Sequence, residues 1–338
     1  MKTNVLSLFD GMSCGMVALE RAGIPVGTYY ASEIDKYATA VSCNNYPDII
    51  RLGDVTKWRE WDIDFSSIDL LLAGFPCQAW SIAGKQAGDI DPRGALVHDL
   101  IAIWQGIKSK NPNMKFLFEN VKMKKEFMKY ISDDLFNVQP ILINSALVSA
   151  QNRNRYYWTN INNVVQPEDK NILLCDILEE GVVDRDKSYC IDANYWKGGN
   201  LRNYLEKSRR QIVFKNKSQT LLATIYKENA KSMVTRDKWG LLVGHAIREK
   251  SKCVRSSGHK SYDRHEWDSV DNLHVRKLTV LECERLQTLP DNYTAGVSNT
   301  QRYKMIGNGW TVDVIAHILR RIHDENKQKK YAHALGLF

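Results

Sequence analysis

The segment Leu70-Leu71-Leu72-Ala73-Gly74-Phe75-Pro76-Cys77-Gln78 joins a run of apolar residues to a polar, glycine-containing loop. An uninterrupted apolar run is typical of a strand buried on both faces, so it predicts an internal strand of a parallel sheet. Pro76 donates no backbone hydrogen bond, and we expect strand pairing to end there. Because chemistry collects beyond the carboxyl ends of such strands, Cys77 is a candidate nucleophile; the alternative is a small buried side chain.

Strand-like and helix-like segments alternate over the first 150 residues. The predicted strands are 4–9, 27–31, 68–73, 115–119 and 141–147. The predicted helices are 16–22, 36–44, 96–108 and a Lys-rich segment that precedes the last strand. This alternation predicts an α/β fold with a doubly wound, mostly parallel sheet.

The pattern becomes short, polar and irregular from about residue 159 to residue 275. Regular helical patterns return at 278–289 and 312–322, and Thr279 and Glu282 have the spacing of a capping box. We therefore predict a main domain at 1–158, a smaller irregular domain inserted at 159–275, and a return to the main domain at 276–338. The tail at 326–330 is expected to fray.

The formal net charge of +8 is unevenly distributed. Residues 1–150 contain 15 Lys and Arg against 17 Asp and Glu, whereas residues 197–260 contain 16 basic residues and 4 acidic ones. Aromatic side chains lie within the basic segment, namely Tyr204, Tyr226 and Trp239. Such a segment favours a nucleic-acid partner, because neutralising phosphates releases counterions; the alternative is a solvated charged face.

Several classes of protein are disfavoured by the sequence. No apolar stretch approaches the roughly 20 residues of a membrane span, and the N-terminus has no pattern of an export signal. The seven cysteines are scattered and form no C-x-x-C pair, so neither a disulfide framework nor a metal site is predicted. We expect a cytoplasmic protein with no membrane partner.

A glycine-bearing loop, Phe9-Asp10-Gly11-Met12-Ser13-Cys14-Gly15, connects the first predicted strand to the first helix. Glu33 ends the second strand, where ribose hydroxyl groups are bound in nucleotide-binding α/β folds. Asp54 follows as an acceptor for the exocyclic amine of adenine. Each feature alone is weak, since such loops and carboxylates are common, but together they predict an adenosine-type cofactor site.

With these features the chain resembles the DNA cytosine-5 methyltransferases over its whole ordered length. Six motifs appear in the order of that family, at 9–15, 74–81, 118–121, 151–155, 276–290 and 306–312. The resemblance implies a Rossmann-like class I methyltransferase fold that binds S-adenosyl-L-methionine (AdoMet) and releases S-adenosyl-L-homocysteine (AdoHcy). The inserted domain would then recognise the target sequence.

The chain departs from the common family pattern in two places. Ser13 and Cys14 stand at the last two positions of the usual Phe-x-Gly-x-Gly-Gly loop, and Trp310 follows the closing Gly-Asn motif. Both features are similar to the catalytic domains of the eukaryotic de novo methyltransferases. The short N-terminus before the first strand nevertheless favours a compact enzyme of bacterial or phage type.

The resemblance implies a reaction in which Cys77 adds to carbon 6 of a flipped-out cytosine in double-stranded DNA and activates carbon 5. Glu119 would contact ring nitrogen 3. Arg153 and Arg155 alternate along an extended segment, so both guanidinium groups are expected on the active-site face, with Arg155 lowering the pKa of Cys77.

The remaining predicted contacts also follow from the resemblance. The predicted cofactor contacts are Phe9, Asp10, Gly11, Met12, Ser13, Cys14, Gly15, Glu33, Ile34, Asp54, Val55, Pro76, Leu96, Asn308 and Trp310. The predicted DNA contacts are Gln78, Ser81, Lys85, Arg93 and Arg276. Residues 78–94 are expected to form a mobile loop with hinges at Gly84, Gly88 and Gly94.

Two alternatives to this function stay open at the level of sequence. The same chemistry on RNA, such as tRNA, would also use the basic segment. A catalytically silent regulatory protein that binds DNA is the other, although retention of Cys77, Glu119 and both arginines argues against it. We expect a monomer, and a cognate restriction endonuclease is a candidate partner.

Overall fold

The structure, a computed structural model, describes residues 2–76, 92–199, 204–205, 207, 209–214, 234–236, 242–244 and 275–334. For residues 92–95, 234–236, 242–244 and 325–334 it describes the backbone only. The strands are β1 (Thr3–Leu8), β2 (Val26–Ser32), β3 (Ile50–Arg51), β4 (Leu70–Gly74), β5 (Lys115–Val121), β6 (Ile141–Asn144), β7 (Asn154–Thr159), β8 (Ile212–Phe214), β9 (Val234–Arg236), β10 (Leu242–Gly244) and β11 (Val275–Lys277).

The helices lie between and after these strands. They are α1 (Cys14–Ala22), α2 (Lys36–Asn45), α3 (Pro92–Lys110), α4 (Lys125–Lys129), which continues into the π-helical segment Tyr130–Phe136, α5 (Val280–Leu286), α6 (Asn299–Asn308) and α7 (Val312–Ala334). Short 3-10 helices occur at Val55–Glu60, Phe65–Ser67, Ser145–Leu147, Leu174–Ile177 and Tyr195–Lys197.

Seven strands form one sheet in the order β3-β2-β1-β4-β5-β7-β6. All neighbours are parallel except β7, which runs antiparallel to both β5 and β6. The predicted α/β fold with a mostly parallel sheet is therefore confirmed. Two further sheets contain two strands each, β9 with β10 and β8 with β11.

The apolar run of β4 is buried on both faces, as the sequence predicts. Leu70 and Leu72 pack in one hydrophobic layer, and Leu71 and Ala73 pack in the other. All four side chains are fully buried. Burying each leucine stabilises the fold by about 1.5–3 kcal/mol, which explains why this strand lies at the centre of the sheet.

The first layer covers one face of the sheet with α1 and α7, which pack on each other. Residues beyond β7 also contribute to it, among them Ile161, Leu174, Ile191 and Tyr195. Part of the predicted inserted domain therefore packs with the main domain. The division at residue 159 stays a prediction.

The second layer lies on the opposite face and is built around α3 and aromatic side chains. The Trp104 ring contacts the Phe116 ring edge-on with 5.1 Å between the ring centroids, and the centroids of the Phe118 and Phe136 rings are 5.0 Å apart. Each such pair stabilises the fold by roughly 0.5–1.5 kcal/mol beyond the contribution from its buried apolar area. Helices on both faces make the sheet doubly wound.

The strand register brings the carboxyl ends of the central strands into one row. Leu8 of β1 pairs with Ala73 of β4, and Gly74 pairs with Glu119 of β5. The chain leaves β1 toward β2 on one side and leaves β4 toward β5 on the other, so the order of strands reverses between β1 and β4. Ligands bind at such switch points in open α/β sheets.

Most predicted helices are confirmed with small changes in their bounds. Thr279 Oγ1 accepts from the Glu282 amide at 3.2 Å, and Glu282 Oε2 accepts from the Thr279 amide at 2.8 Å, which is the predicted capping box. Helix α6 is not predicted from the sequence.

Two local expectations are wrong. The tail at 326–330 does not fray, because α7 continues to Ala334 through a segment without Gly or Pro. Gly94 lies inside α3 and is not a loop hinge, because the helix already begins at Pro92.

No helix within the described ranges is both long and apolar enough to cross a membrane.

A buried carboxylate organises the chain after α5. Glu284 is fully buried, and its Oε1 accepts from Arg302 Nη2 at 3.0 Å and from the Thr294 amide at 2.8 Å. Its Oε2 accepts from the Asn292 amide at 2.8 Å. This side chain therefore connects α5, the following loop and α6.

Removing this carboxylate leaves the Arg302 charge and two amides without their acceptor. We expect Glu284→Ala to lower the free energy of unfolding by about 3–5 kcal/mol, because removing one member of a buried ion pair leaves the other, Arg302, as an uncompensated buried charge. Arg321→Ala, which removes an exposed pair with Asp324 at 3.5 Å, should cost less than about 1 kcal/mol. Urea unfolding measures both, and equal losses would contradict this account.

Candidate active site

The loop after β1 turns sharply through three residues in the left-handed region. The φ angles are 56° at Phe9, 61° at Gly11 and 64° at Ser13. Glycine adopts this conformation without strain, whereas serine does not. Ser13, which stands where the common family pattern has glycine, therefore needs stabilising contacts.

Side-chain hydrogen bonds supply that stabilisation. Ser13 Oγ donates to Asp10 Oδ2 at 2.6 Å and lies 2.6 Å from Ser42 Oγ, while Tyr29 Oη donates to Asp10 Oδ1 at 2.7 Å. Burial raises the pKa of Asp10 despite these donors. The Asp10 side chain therefore braces the loop from inside, and its cofactor contact stays a prediction.

Glu33 lies at the carboxyl end of β2 and faces the loop. Its Oε2 accepts from the Gly11 amide at 2.8 Å, and its Oε1 accepts from the Ile34 and Asp35 amides at 2.8 and 2.7 Å. Each carboxylate oxygen has two lone pairs, and these three amides occupy both on Oε1 and one on Oε2, so Glu33 can accept from one further hydroxyl group through Oε2. This arrangement fits a ribose.

Two neighbouring residues complete an adenosine-shaped surface. The Ile34 side chain is 76% exposed, which offers an apolar face next to Glu33. Asp54 Oδ1 caps the following 3-10 helix through the Thr56 amide at 2.9 Å. A Cβ on Gly11 would meet no atom within 4 Å, so the space beside the loop is open. The residues present fit the adenosine part of AdoMet.

The rest of the loop is fixed by the C-terminal part of the chain. Tyr293 Oη donates to the Met12 carbonyl at 2.6 Å, and a Cβ on Gly309 would lie 2.8 Å from Met12 Cε. Cys14 is also buried, and burial raises its pKa to about 12. The side chains of Met12 and Cys14 therefore pack inside the protein, and the cofactor contacts of these two residues stay predictions.

Gly15 is required by its close neighbours. A Cβ at this position would lie 2.6 Å from Tyr29 Oη and 3.0 Å from Leu72 Cδ1. The late glycine of the loop therefore lets the first turn of α1 approach the sheet.

The turn after β4 is held from the neighbouring strand. Asn120 Nδ2 donates to the Phe75 carbonyl at 3.3 Å, immediately before Pro76. The Phe75 ring is buried against Phe136 and Trp158. The second residue of the Glu-Asn-Val motif thus fixes the point at which the chain leaves the sheet.

Several predicted residues lie outside the described part of the chain. They are Cys77, Gln78, Ser81, Lys85, Gly84, Gly88, Tyr226 and Trp239, and for Arg93 only the backbone is described. The predicted nucleophile, the mobile loop and most DNA contacts therefore stay predictions.

Glu119 is held on both carboxylate oxygens. Arg155 Nε lies 2.9 Å from Oε1, and Trp310 Nε1 donates to Oε2 at 3.2 Å. Glu119 is 8% exposed, so this pair is partly shielded from water. Arg155 pairs with Val121 across β5 and β7, which places its side chain diagonally opposite Glu119 on one face.

The structure separates the two arginines that the sequence treats as a pair. Arg153 is 3% exposed and donates to the carbonyl groups of Ile191, Gly307 and Gly309 at 3.0, 3.2 and 2.8 Å. These contacts anchor Arg153 within the protein, and its catalytic role stays a prediction. Arg155 is the arginine that contacts the Glu119 carboxylate.

An unpredicted thiol, Cys190, lies against both guanidinium groups. Its Sγ is 3.5 Å from Arg153 Nη1 and 3.9 Å from Arg155 Nη2. Burial alone raises the pKa of Cys190, but the two arginines outweigh this effect and lower it. No local sequence pattern indicates this contact, because Cys190 is more than 30 residues away from both arginines in the sequence.

The other predicted contacts are placed less directly. Arg276 pairs with Glu282 at 2.8 Å and also donates to the Glu180 carbonyl, so its guanidinium group is used inside the protein and its DNA contact stays a prediction. The remaining cofactor predictions also stay open: Val55 is buried, Leu96 packs partly in the second layer, and Asn308 is exposed at the end of α6.

Comparison with protein families and curated proteins identifies clear relatives. Residues 3–324 match the family model described as C-5 cytosine-specific DNA methylase. The chain is 30% identical over 356 residues to the type II methyltransferase M1.ScrFI of Lactococcus lactis subsp. cremoris, covering 97% of this chain and 80% of that protein. It is 29% identical to M.HpaII of Haemophilus parainfluenzae, covering 93% and 87%.

Solved structures support the fold. A mutant DNMT2 of Spodoptera frugiperda aligns with a TM-score of 0.60 at 19% identity, covering 95% of this chain and all of that one. A putative DNA modification methyltransferase from an E. coli prophage aligns with a TM-score of 0.52 at 19% identity, covering 96% and 99%. The family match spans almost the whole chain. The chain belongs to the C-5 cytosine-specific DNA methylase family and is an AdoMet-dependent cytosine C-5 methyltransferase.

Proposed function

We propose that this chain methylates carbon 5 of a flipped-out cytosine in double-stranded DNA. The observation that carries this proposal is the Glu119 carboxylate, held by Arg155 and Trp310 at the strand end beside the one that leads to Pro76 and Cys77. The carboxylate lies at the same sheet edge as the cofactor loop. Cofactor and base would therefore meet there.

DNA is favoured over RNA by two observations. Two relatives that span more than nine-tenths of the chain, M1.ScrFI and M.HpaII, are named as type II methyltransferases. The basic segment at 197–260 lies within the region predicted to recognise the target, and it provides charge for phosphate contacts. A cognate restriction endonuclease, a monomeric state and a cytoplasmic location belong to the same proposal.

The proposed reaction begins with covalent activation of the base. Carbon 5 of cytosine is a weak nucleophile, so the Cys77 thiolate adds to carbon 6 and pushes electron density toward carbon 5 and ring nitrogen 3. Glu119 stabilises that charge in its protonated form, in which it donates a hydrogen bond to nitrogen 3 or transfers its proton there. After methyl transfer, loss of the carbon 5 proton and elimination of Cys77 restore the aromatic ring.

The residues around the site bind and orient the reacting groups. When bound, AdoMet supplies a methyl group on a positively charged sulfur. Glu33, Ile34 and Asp54 would hold its adenosine part. Arg155 keeps its charge at all relevant pH values and fixes the Glu119 carboxylate. A base inside a duplex cannot reach this buried edge, so it must leave the stack.

Methyl transfer with labelled AdoMet tests the substrate directly. We expect incorporation into duplex DNA and not into tRNA, with bisulfite sequencing of DNA from expressing cells revealing one protected sequence context. Cys77→Ser should abolish incorporation and the covalent adduct with DNA that contains 5-fluorocytosine, because the hydroxyl is a far weaker nucleophile.

AdoHcy binding should survive in Cys77→Ser. Transfer to tRNA alone would replace DNA by RNA as the substrate. Absence of any transfer by the wild-type protein would support the silent homologue, and loss of AdoHcy binding in Cys77→Ser would mean that the cofactor site is misplaced.

The ribose assignment of Glu33 predicts a cofactor-binding defect. Glu33→Ala should weaken AdoHcy binding about tenfold to hundredfold, the range for hydrogen bonds to a charged acceptor. Glu20→Ala, which removes an exposed glutamate that contacts Tyr46, should leave affinity unchanged. Isothermal titration calorimetry measures both Kd values, and equal values would rule out the assignment.

The two arginines should respond differently to a change that keeps their charge. Arg155→Lys should lower kcat about tenfold to hundredfold, because Lys cannot reproduce the Nε contact with Glu119, and should change stability little. Arg153→Lys should lower the free energy of unfolding by about 2–3 kcal/mol, because carbonyl acceptors lose their donors. The reverse pattern, in steady-state kinetics and urea unfolding, would refute the separation of roles.

A further inference from the structure

The segment between α6 and α7 places an indole ring between the cofactor loop and the catalytic carboxylate. Trp310 is partly buried, and its Nε1 donates to Glu119 Oε2 at 3.2 Å. The other oxygen, Oε1, lies 2.9 Å from Arg155 Nε. Two separate parts of the chain therefore hold the same carboxylate.

Gly74 leaves the space in which this ring lies. A Cβ on Gly74 would approach Trp310 Nε1 to 2.8 Å, closer than real Cβ atoms come to their neighbours. A Cβ on Gly15 would lie 3.6 Å from Cζ3, so the first turn of α1 also borders the ring. Gly74 is the register partner of Glu119, and the ring thus lies over both strand ends.

We propose that Trp310 is a positioning residue for methyl transfer, which fixes the Glu119 carboxylate in the orientation that meets the cytosine ring. This inference rests on the proposed function, because it gives Trp310 a task in that same reaction. It adds a role on the base side of the site to the predicted cofactor contact of Trp310.

The physical reason lies in the freedom of a glutamate side chain. Its terminal torsion is broad, so a single donor leaves the carboxylate free to rotate. A hydrogen bond from the indole to Oε2 and the charge of Arg155 beside Oε1 restrict that rotation from two directions before the base arrives, and each oxygen keeps a lone pair. Groups that are already oriented accelerate a reaction more than groups that must reorient.

The first test removes the indole N–H and keeps an aromatic ring. For Trp310→Phe, we expect the single-turnover rate at saturating AdoMet and DNA to fall about tenfold to hundredfold. The Kd for AdoHcy should change less than about threefold. The matched control is Trp58→Phe, since Trp58 Nε1 also donates to a carboxylate oxygen, on Asp99, at 3.2 Å. That variant should keep the wild-type rate.

The second test disturbs the same hydrogen bond from the other side. Gly74→Ala introduces a methyl group at the position of closest approach to the indole nitrogen. If it acts through the bond between Trp310 and Glu119, the double variant with Trp310→Phe should be no slower than the slower single variant. AdoHcy binding by each variant shows that it is folded, and full additivity of the two rate losses would overturn the inference.

The outcomes separate this inference from the proposed function. A wild-type rate in Trp310→Phe, or a loss confined to AdoHcy affinity, overturns the positioning role while DNA methylation by the wild-type protein stands. If the wild-type protein methylates tRNA and not DNA, the proposed function is wrong and the Trp310→Phe comparison is made on tRNA. A wild-type protein that methylates neither overturns both.

Discussion

The geometry of the site depends on the buried guanidinium group of Arg153. It donates to the Gly307 and Gly309 carbonyls at the end of α6, where a helix has carbonyl groups without internal partners and the negative end of its dipole. It also donates to the Ile191 carbonyl. Because a buried charge without such acceptors is costly, β7, the segment around Ile191 and the C-terminal helices are held together at one cation. Trp310 directly follows Gly309, so the same contact sets its position.

The site divides into two halves that share the carboxyl edge of the sheet. On the cofactor side, the left-handed loop is braced from behind by Asp10, and Glu33 faces the open space. On the proposed base side, the Glu119 carboxylate contacts the Arg155 guanidinium group and the Trp310 indole. The strand order reverses between β1 and β4, and this reversal brings the two halves within reach of one methyl group.

Sequence patterns within a few residues predict the elements that are stabilised by contacts between residues close together in the chain. The capping box of Thr279 and Glu282 appears as expected, since both partners lie within one helical turn. Helix α6 was missed because its sequence is mostly polar and its position is fixed by contacts such as the ion pair of Arg302 with Glu284. Alternation along β7 suggested one shared face for Arg153 and Arg155, but it cannot show which group each arginine meets.

The sequence alone determined the fold class and the order of the motifs, and it predicted Glu119 as the catalytic carboxylate, because apolar periodicity and motif spacing are properties of neighbouring residues. Tertiary structure decided what each motif residue does. The inward turn of Asp10, the anchoring by Arg153 and the bond between Trp310 and Glu119 join residues separated by 19 to 191 positions. Such contacts depend on strand register and helix packing, which no local pattern encodes.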